Sequence, residues 1–410
     1  MRADIRWVQV GELGEVRMGK QLSPASRVAI GQFPYLRVAN VFDGLIDYAD
    51  VNTMGFTPAE RKTYSLRSGD ILINEGQSLE LVGRSALYDG PEGGYCFQNT
   101  LIRFRPEVEV VPEYAQAVFS RWLATGVFAA IAKKTTSIAH LGGDRFASLR
   151  FPLVSLSEQH QIVEALGTVS TMERSIESSI SKAQTLREGV VGEFLGDLEW
   201  NRPLGEALSG AIRNGFSPVE SHSWTGVQML GLGCLTRGGF QPRQMKNAPV
   251  SVSASHAAIL TDGDLLMSRA NTRDLVGLVG IYRDVGNPCI YPDLMMRLRA
   301  ADGVRSEFLE AVLSSPRTRR SVQAFAQGTS ESMVKISAAT AANLMVPLPG
   351  LEIQDRLLSV QHALDGRISG DIKALNKLRK LREGIVDDLF VGQASSLMEP
   401  PPGLLGPLPG

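Results

Sequence analysis

"TLREGVVGEFL" (Thr185–Leu195) and "KLREGIVDDLF" (Lys380–Phe390) are one phrase written twice, 195 positions apart. Both run Leu-Arg-Glu-Gly and then apolar, acidic and apolar positions. Working back from them, the whole chain repeats in register. "GDILI" at Gly69–Ile73 returns as "GDLLM" at Gly263–Met267, 194 positions on. "LVGRSALY" (Leu81–Tyr88) returns as "LVGLVGIY" (Leu275–Tyr282), and "FQNTLIRFR" (Phe97–Arg105) as "YPDLMMRLR" (Tyr291–Arg299), at the same spacing. One residue is then inserted, so Phe151-Pro152-Leu153 falls on Val346-Pro347-Leu348 at 195. A register held this long with one slip marks a tandem duplication of a unit of about 195 residues. Solenoid repeats run to about 20–50 residues, so each copy is instead large enough to hold its own core.

Composition narrows the class. A chain of 410 residues with 43% hydrophobic and 21% charged residues reads as folded protein of two to four domains. No apolar run is long enough for a membrane span, and "MRADIRWVQV" has no basic-then-apolar signal pattern, so neither membrane nor export is expected. Three scattered cysteines, Cys96, Cys234 and Cys289, fit a reducing cytoplasm rather than a disulfide framework. The formal net charge of −1 gives no global basic signature, so a nucleic-acid binder would have to concentrate its Lys and Arg locally.

Each copy opens as mixed α/β. "YLRVANV", "DILINEG", "GRSALYDG" and "TLIRFRP" are short apolar segments between turn residues, as strands are. A helical stretch follows, "PEYAQAVFSRWLATGVFAAIAKK" or "RSEFLEAVLSSPRTRRSVQAFAQ", the second broken at Pro316. Then comes a Thr/Ser-rich loop, in which Thr135 and Thr136 match Thr329 and Ser330.

The end of each copy reads differently. From Ser157 to about Leu195 there is no proline, and apolar residues return at steps of three and four: Ile162, Leu166, Val169, Met172, Ile176, Ile180, Ala183, Val190 and Phe194. Ser155 or Ser157 can cap this helix, with Glu158 and Gln159 in its first turn. The second copy repeats the seam at Leu357, Leu364, Ile368, Ile372, Leu375, Leu378, Ile385 and Leu389. A helix of about 38 residues is roughly 57 Å long, more than a domain of this size needs for its own core. The two helices are therefore expected to bury their seams against each other. An antiparallel pair is favoured, because it places the globular parts at opposite ends without returning the chain along the rod.

Catalytic constellations are missing from the pattern. His140, His160, His222, His256 and His362 lack metal-ligand spacing, and no C-x-x-C occurs. Asp70 and Glu75 in "GDILINEG" hint at a metal-dependent nuclease, but Gln77 stands where a catalytic lysine would, and the second copy reads Met267-Ser268 there. Basic and polar residues do cluster locally, at Lys133-Lys134-Thr135-Thr136-Ser137 and in "SRANTRD". Such groups meet phosphates and base edges.

The ordered set of shared motifs, occurring twice, resembles the DNA-sequence specificity subunit of type I restriction-modification enzymes across nearly the whole chain. The resemblance rests on "SGDILINEG…LVGRSALY" and "DGDLLMSRA…LVGLVGIY", on "FPLVSLSEQHQIV" and "VPLPGLEIQDRLL", and on the two "LREG" helices. It implies an α+β fold, a tandem pair of target-recognition domains, each with a long helix, the helices pairing as an antiparallel coiled coil. It implies double-stranded DNA with a bipartite site as ligand, and a non-catalytic role for this chain. Implied partners are two methyltransferase subunits, which carry S-adenosylmethionine and modify adenine, and motor-nuclease (restriction) subunits using ATP and Mg2+. The segments expected are 1–156 and 200–350 for recognition, 157–199 and 351–392 for the spacer helices, and a Pro/Gly-rich tail at 393–410 that reads as disordered. A helix of this length spans roughly 17 base pairs at about 3.4 Å each.

The candidate DNA contacts are Arg37, Asn40, Arg84, Lys133, Lys134, Thr135, Thr136 and Ser137 in the first copy. In the second they are Arg269, Asn271, Arg273, Thr329, Ser330 and Lys335. Arg103 and Arg297 recur in register but sit in strands and read as structural. The alternative is a two-lobed coiled-coil scaffold that binds protein rather than DNA.

Overall fold

A computed structural model describes residues 5–134, 138–328 and 333–388. They group into two compact units. One comprises the chain up to Glu177 together with the segment from Lys373 on, and the other is Ser178–Ile372.

The core of the first unit is a four-stranded antiparallel sheet, in the order Gly14–Met18, Leu101–Pro106, Ile71–Asn74, Ser85–Leu87. The second unit repeats that order with Arg213–Asn214, Met295–Leu298, Leu265–Ser268 and Val279–Ile281. The registers agree residue for residue: Arg103 lies opposite Leu72, and Arg297 opposite Leu266. Strands buried on both faces read as near-continuous apolar runs, which is why "ILI" and "LLM" are fully buried. Each turn into this strand uses a glycine at positive φ, Gly69 at +90° and Gly263 at +89°.

The helical stretch of the first unit is two helices, Pro112–Ala124 and Val127–Ile131, separated by Gly126 at φ +78°. In the second unit the break comes at Pro316, between Ser306–Ser314 and Pro316–Phe325. The thiols of Cys96, Cys234 and Cys289 are free and buried, and burial pushes Cys96 and Cys289 up to about 12.

Recurrent charged residues hold the sheets. Arg103, 1% exposed, donates to the Thr63 and Ser65 carbonyls at 3.2 and 3.1 Å and meets Glu15 at 2.5 Å. Arg105 grips Asp70 through two bonds of 2.6 and 2.7 Å. Arg297 donates to the Ile259 carbonyl at 2.9 Å, and Arg299 lies 3.3 Å from Asp264. Asp70 and Asp264 are thus occupied by arginines, and the nuclease hint has no support in their geometry.

The long helices are Leu156–Gly196 and Leu351–Asp387. Ser155 caps the first: its hydroxyl accepts from the Glu158 N–H, and the Glu158 carboxylate accepts from the Ser155 N–H and hydroxyl. Each helix contributes to both units, and within each unit the two run antiparallel. In the first unit Glu173 faces Arg382 and Glu177 faces Arg379, at 3.6 and 2.8 Å. In the second, Ser179 pairs with Asp371 at 2.9 Å and Arg187 with Asp365 at 2.7 Å. One number rises as the other falls. Exposed pairs such as Glu177–Arg379 contribute about 0–1 kcal/mol each, so they set register more than stability.

The seam is partly as the spacing predicts. Val169 and Leu375 are buried, while Ile176, Ile180, Val190, Leu364, Ile368, Leu378 and Ile385 are half-buried. Ile162 and Leu166 pack on the core of the first unit, which Val386 from the second helix also enters. Ile372 is a correction: it is 43% exposed, and Met172 is 49% exposed, so neither is a sealed seam position. Leu389 lies outside the described residues.

Two glutamines fasten the helices to the α/β part of each unit. Gln159 accepts from the Val111 N–H at 2.7 Å and donates to the Glu109 and Val154 carbonyls at 2.8 and 2.9 Å. Gln354 does the same with the Arg305 N–H and the Gly303 and Pro349 carbonyls, at 2.9, 3.1 and 2.8 Å.

Candidate nucleic-acid interface

The polar strip at the margin of each sheet domain is built on the same backbone twice. In the first, Gly76–Gln77 pairs with Ala139–His140, which pairs with Lys133–Lys134. In the second, Ala270–Asn271 pairs with Val334–Lys335, and Lys335 bridges to Gln327. The anchoring bonds match: the Leu141 N–H donates to the Glu75 carbonyl at 2.8 Å, and the Ile336 N–H to that of Arg269 at 2.9 Å. The Glu75 N–H donates to Thr100 at 2.9 Å, and the Arg269 N–H to Leu294 at 2.8 Å.

Strand alternation decides what this strip presents. Ala139 and Val334 are buried in the cores of their domains. The residues after them turn outward: Lys335 is exposed and the His140 side chain is 44% exposed, with the exposed Lys133 opposite His140; Lys134, opposite Ala139, is exposed as well. Imidazole Nδ1 of His140 lies 3.1 Å from Glu75, whose carboxylate is 14% exposed. Arg269 has a loose hold, with one bond of 3.4 Å to the Asp293 carbonyl and a buried Nε that has no partner among the described residues. Asn271 accepts from the Thr272 N–H at 2.9 Å.

The other sequence candidates sort by what already occupies them. Lys133 and Lys134 stand open on the strip. Arg84 lies 5.8 Å over the ring of Phe42, which is itself 42% exposed. Asn40 is a correction: it is 2% exposed, donates to the Asp47 and Asp50 carbonyls at 3.0 and 2.9 Å, and accepts from the Arg37 N–H. Its amide organises a turn and has nothing left for a base. Arg37 is held by Asp50 at 2.8 Å. Arg273 donates to the carbonyls of Gln323 and Ala326, at 2.8 and 3.4 Å, closing the end of the Pro316–Phe325 helix. Both arginines serve local structure. Thr135, Thr136, Ser137, Thr329 and Ser330 lie outside the described residues.

Glu75, Gln77 and His140 are not among the sequence candidates for DNA contact, although the register of the repeat points to them. They are the counterparts of Arg269, Asn271 and Lys335. Among the described residues no group of three His, Cys, Asp or Glu could hold a metal ion, and no helix is long and apolar enough to cross a membrane.

Comparison with known proteins fits this doubled architecture. Residues 4–183 match the family model of the type I restriction modification DNA specificity domain. That match covers the first copy of the repeat. Among curated relatives, the EcoKI specificity subunit of Escherichia coli (strain K12) is 23% identical, over 88% of this chain and 82% of its own. The putative type I restriction enzyme MjaX specificity subunit of Methanocaldococcus jannaschii is 21% identical, over 88% and 87%. Two solved structures share the fold. A chain from a study of assembly and conformational transition in the type I R-M system has a TM-score of 0.64 at 19% identity, over 95% of this chain and 98% of that one. The S subunit from M. genitalium has a TM-score of 0.51 at 15% identity, over 94% and 96%. The sheet order of the matched residues recurs in the second copy of the repeat.

Proposed function

We propose that this chain is the non-catalytic DNA-reading subunit of a type I restriction-modification complex, each specificity domain reading one half of a bipartite site. The observation that carries this reading is one backbone strip built twice with different outward chemistry. Two identical readers would need only one sequence; two unlike readers on one scaffold suit an asymmetric, interrupted word. In this reading Lys133 and Lys134 meet phosphates, and the polar groups beside them on the strip meet base edges.

Chemistry on the DNA then belongs to other chains. Methyltransferase subunits carrying S-adenosylmethionine would supply methylation, and motor-nuclease subunits using ATP and Mg2+ would supply translocation and cleavage. The long helices, each shared by both units, are the elements on which the gap between half-sites depends and on which the methyltransferase subunits dock.

Mapping modified bases genome-wide in the host, with and without this gene, tests the reading. A bipartite methylated motif that vanishes with the gene is the expected result. An unchanged methylation map, together with no salt-dependent binding of duplex DNA by the complex with its methyltransferase, would overturn it.

A further inference from the structure

The repeat offers an internal comparison that separates scaffold from reader. Residues that hold the fold are the same in both copies: Arg103 and Arg297, Asp70 and Asp264, Gln159 and Gln354 keep both identity and bonds. One outward slot keeps its backbone bonds and inverts its chemistry. It holds Glu75 with His140 in the first domain, and Arg269 with Lys335 in the second.

Resting on the function proposed above, we infer that this slot selects a base in each half-site, and that its opposite chemistry makes the half-sites differ. In the major groove a carboxylate accepts from an exocyclic amino group, cytosine N4 above all, whereas an arginine donates in bidentate fashion to guanine O6 and N7. Glu75 is oriented by the His140 imidazole at 3.1 Å, so one carboxylate oxygen is held while the other can accept. The Arg269 guanidinium sits where a ligand would complete it, because among the described residues its side chain makes one long contact. The first slot borders the exposed Lys133 and Lys134, which supply phosphate contacts without sequence preference, whereas the exposed lysine of the second strip, Lys335, belongs to the slot itself. The first slot therefore reads a base that presents an amino group, and the second reads guanine.

The test uses the full chain assembled with its methyltransferase and a panel of duplexes carrying every single-base replacement in the site. Glu75→Gln preserves size and hydrogen-bonding reach, so the fold is retained; the melting temperature of the complex checks this. It should lower discrimination at one base pair of the first half-site by about 10- to 100-fold and leave the second half-site unchanged. Arg269→Glu with Lys335→His transplants the first slot into the second domain. One base pair of the second half-site should then switch from guanine to a base with an amino donor. Unchanged preference at every position, or an even loss across both half-sites with Glu75→Gln, would overturn the assignment. A wild-type complex with no bipartite preference at all would instead overturn the functional reading on which the slot rests.

Discussion

Gly83 lies so close to Phe128 that a β-carbon on it would sit 2.2 Å from the ring atom Cδ2. Gly277 and Val322 repeat the contact in the second unit, at 2.4 Å to a γ-carbon. Both glycines hold positive φ, +85° and +72°. The recurring "LVG" is therefore a packing phrase: a strand-side turn pressed against a helix, with room for hydrogen only. Gly83→Ala should destabilise the first unit by about 2–5 kcal/mol, combining a left-handed backbone penalty of about 1–2 with overpacking of about 1–3. Urea unfolding measures it, and a loss below about 1 kcal/mol would show that the contact yields easily.

The glutamine clasps give a second, paired expectation. Gln159→Ala removes the acceptor for the Val111 N–H and leaves two carbonyls without their donor. Gln354→Ala does the same to the Arg305 N–H. Each should cost about 1–3 kcal/mol, the penalty for unsatisfied buried polar groups. Gln159→Glu should cost more than Gln159→Ala, because it buries a carboxylate against the carbonyls of Glu109 and Val154. Equal melting temperatures for the two variants would mean that the Gln159 amide does not donate to those carbonyls.

The duplication, the two long helices and their antiparallel pairing are legible in the sequence because each leaves a periodic mark. The motifs return at 194 or 195, and the seam returns at three and four. Burial along that seam is less legible. Ile372 fits the spacing, yet it stands 43% exposed, because periodicity marks a face without saying where along it a neighbour sits. The site is harder still. Asn40 and Arg273 have the residue types that read DNA, but side chains of those types also satisfy turn and helix-end carbonyls. Only the partners tell the two uses apart. Glu75 and His140 are hidden for the opposite reason: neither is a typical phosphate ligand, and their place on the strip depends on strand pairing across more than sixty residues.

Glu310 provides a pH-dependent expectation. It is half-buried beneath the sheet and accepts from the Ile281 N–H at 3.1 Å, and burial raises its carboxyl above the ordinary range. The sign follows from linkage. Because the folded state holds this proton more tightly than the unfolded chain, stability from the group is complete below the ordinary carboxylate range. It is lost as pH rises through the raised folded value. Glu310→Gln keeps an acceptor for the Ile281 N–H without the charge. It should therefore raise the melting temperature at pH 8, with the gain shrinking towards zero as the pH falls below about 4. A gain that persists or grows in acid would reverse the argument.

Phosphate contact and scaffold can be told apart by salt. Lys133 and Lys134 stand exposed on the strip, with no carboxylate partner among the described residues. Replacing both with alanine should weaken DNA binding evenly across sequences, and should reduce the slope of log affinity against log salt by about 2, close to one counterion per lysine. Asn40→Ala serves as the contrast. It removes three bonds inside a turn, so it should lower the melting temperature and leave the salt slope as it was. If the lysine pair left the slope unchanged while Asn40→Ala reduced it, the strip would not be the face that meets the duplex, because a counterion count responds to charge brought against phosphate and not to the stability of the fold.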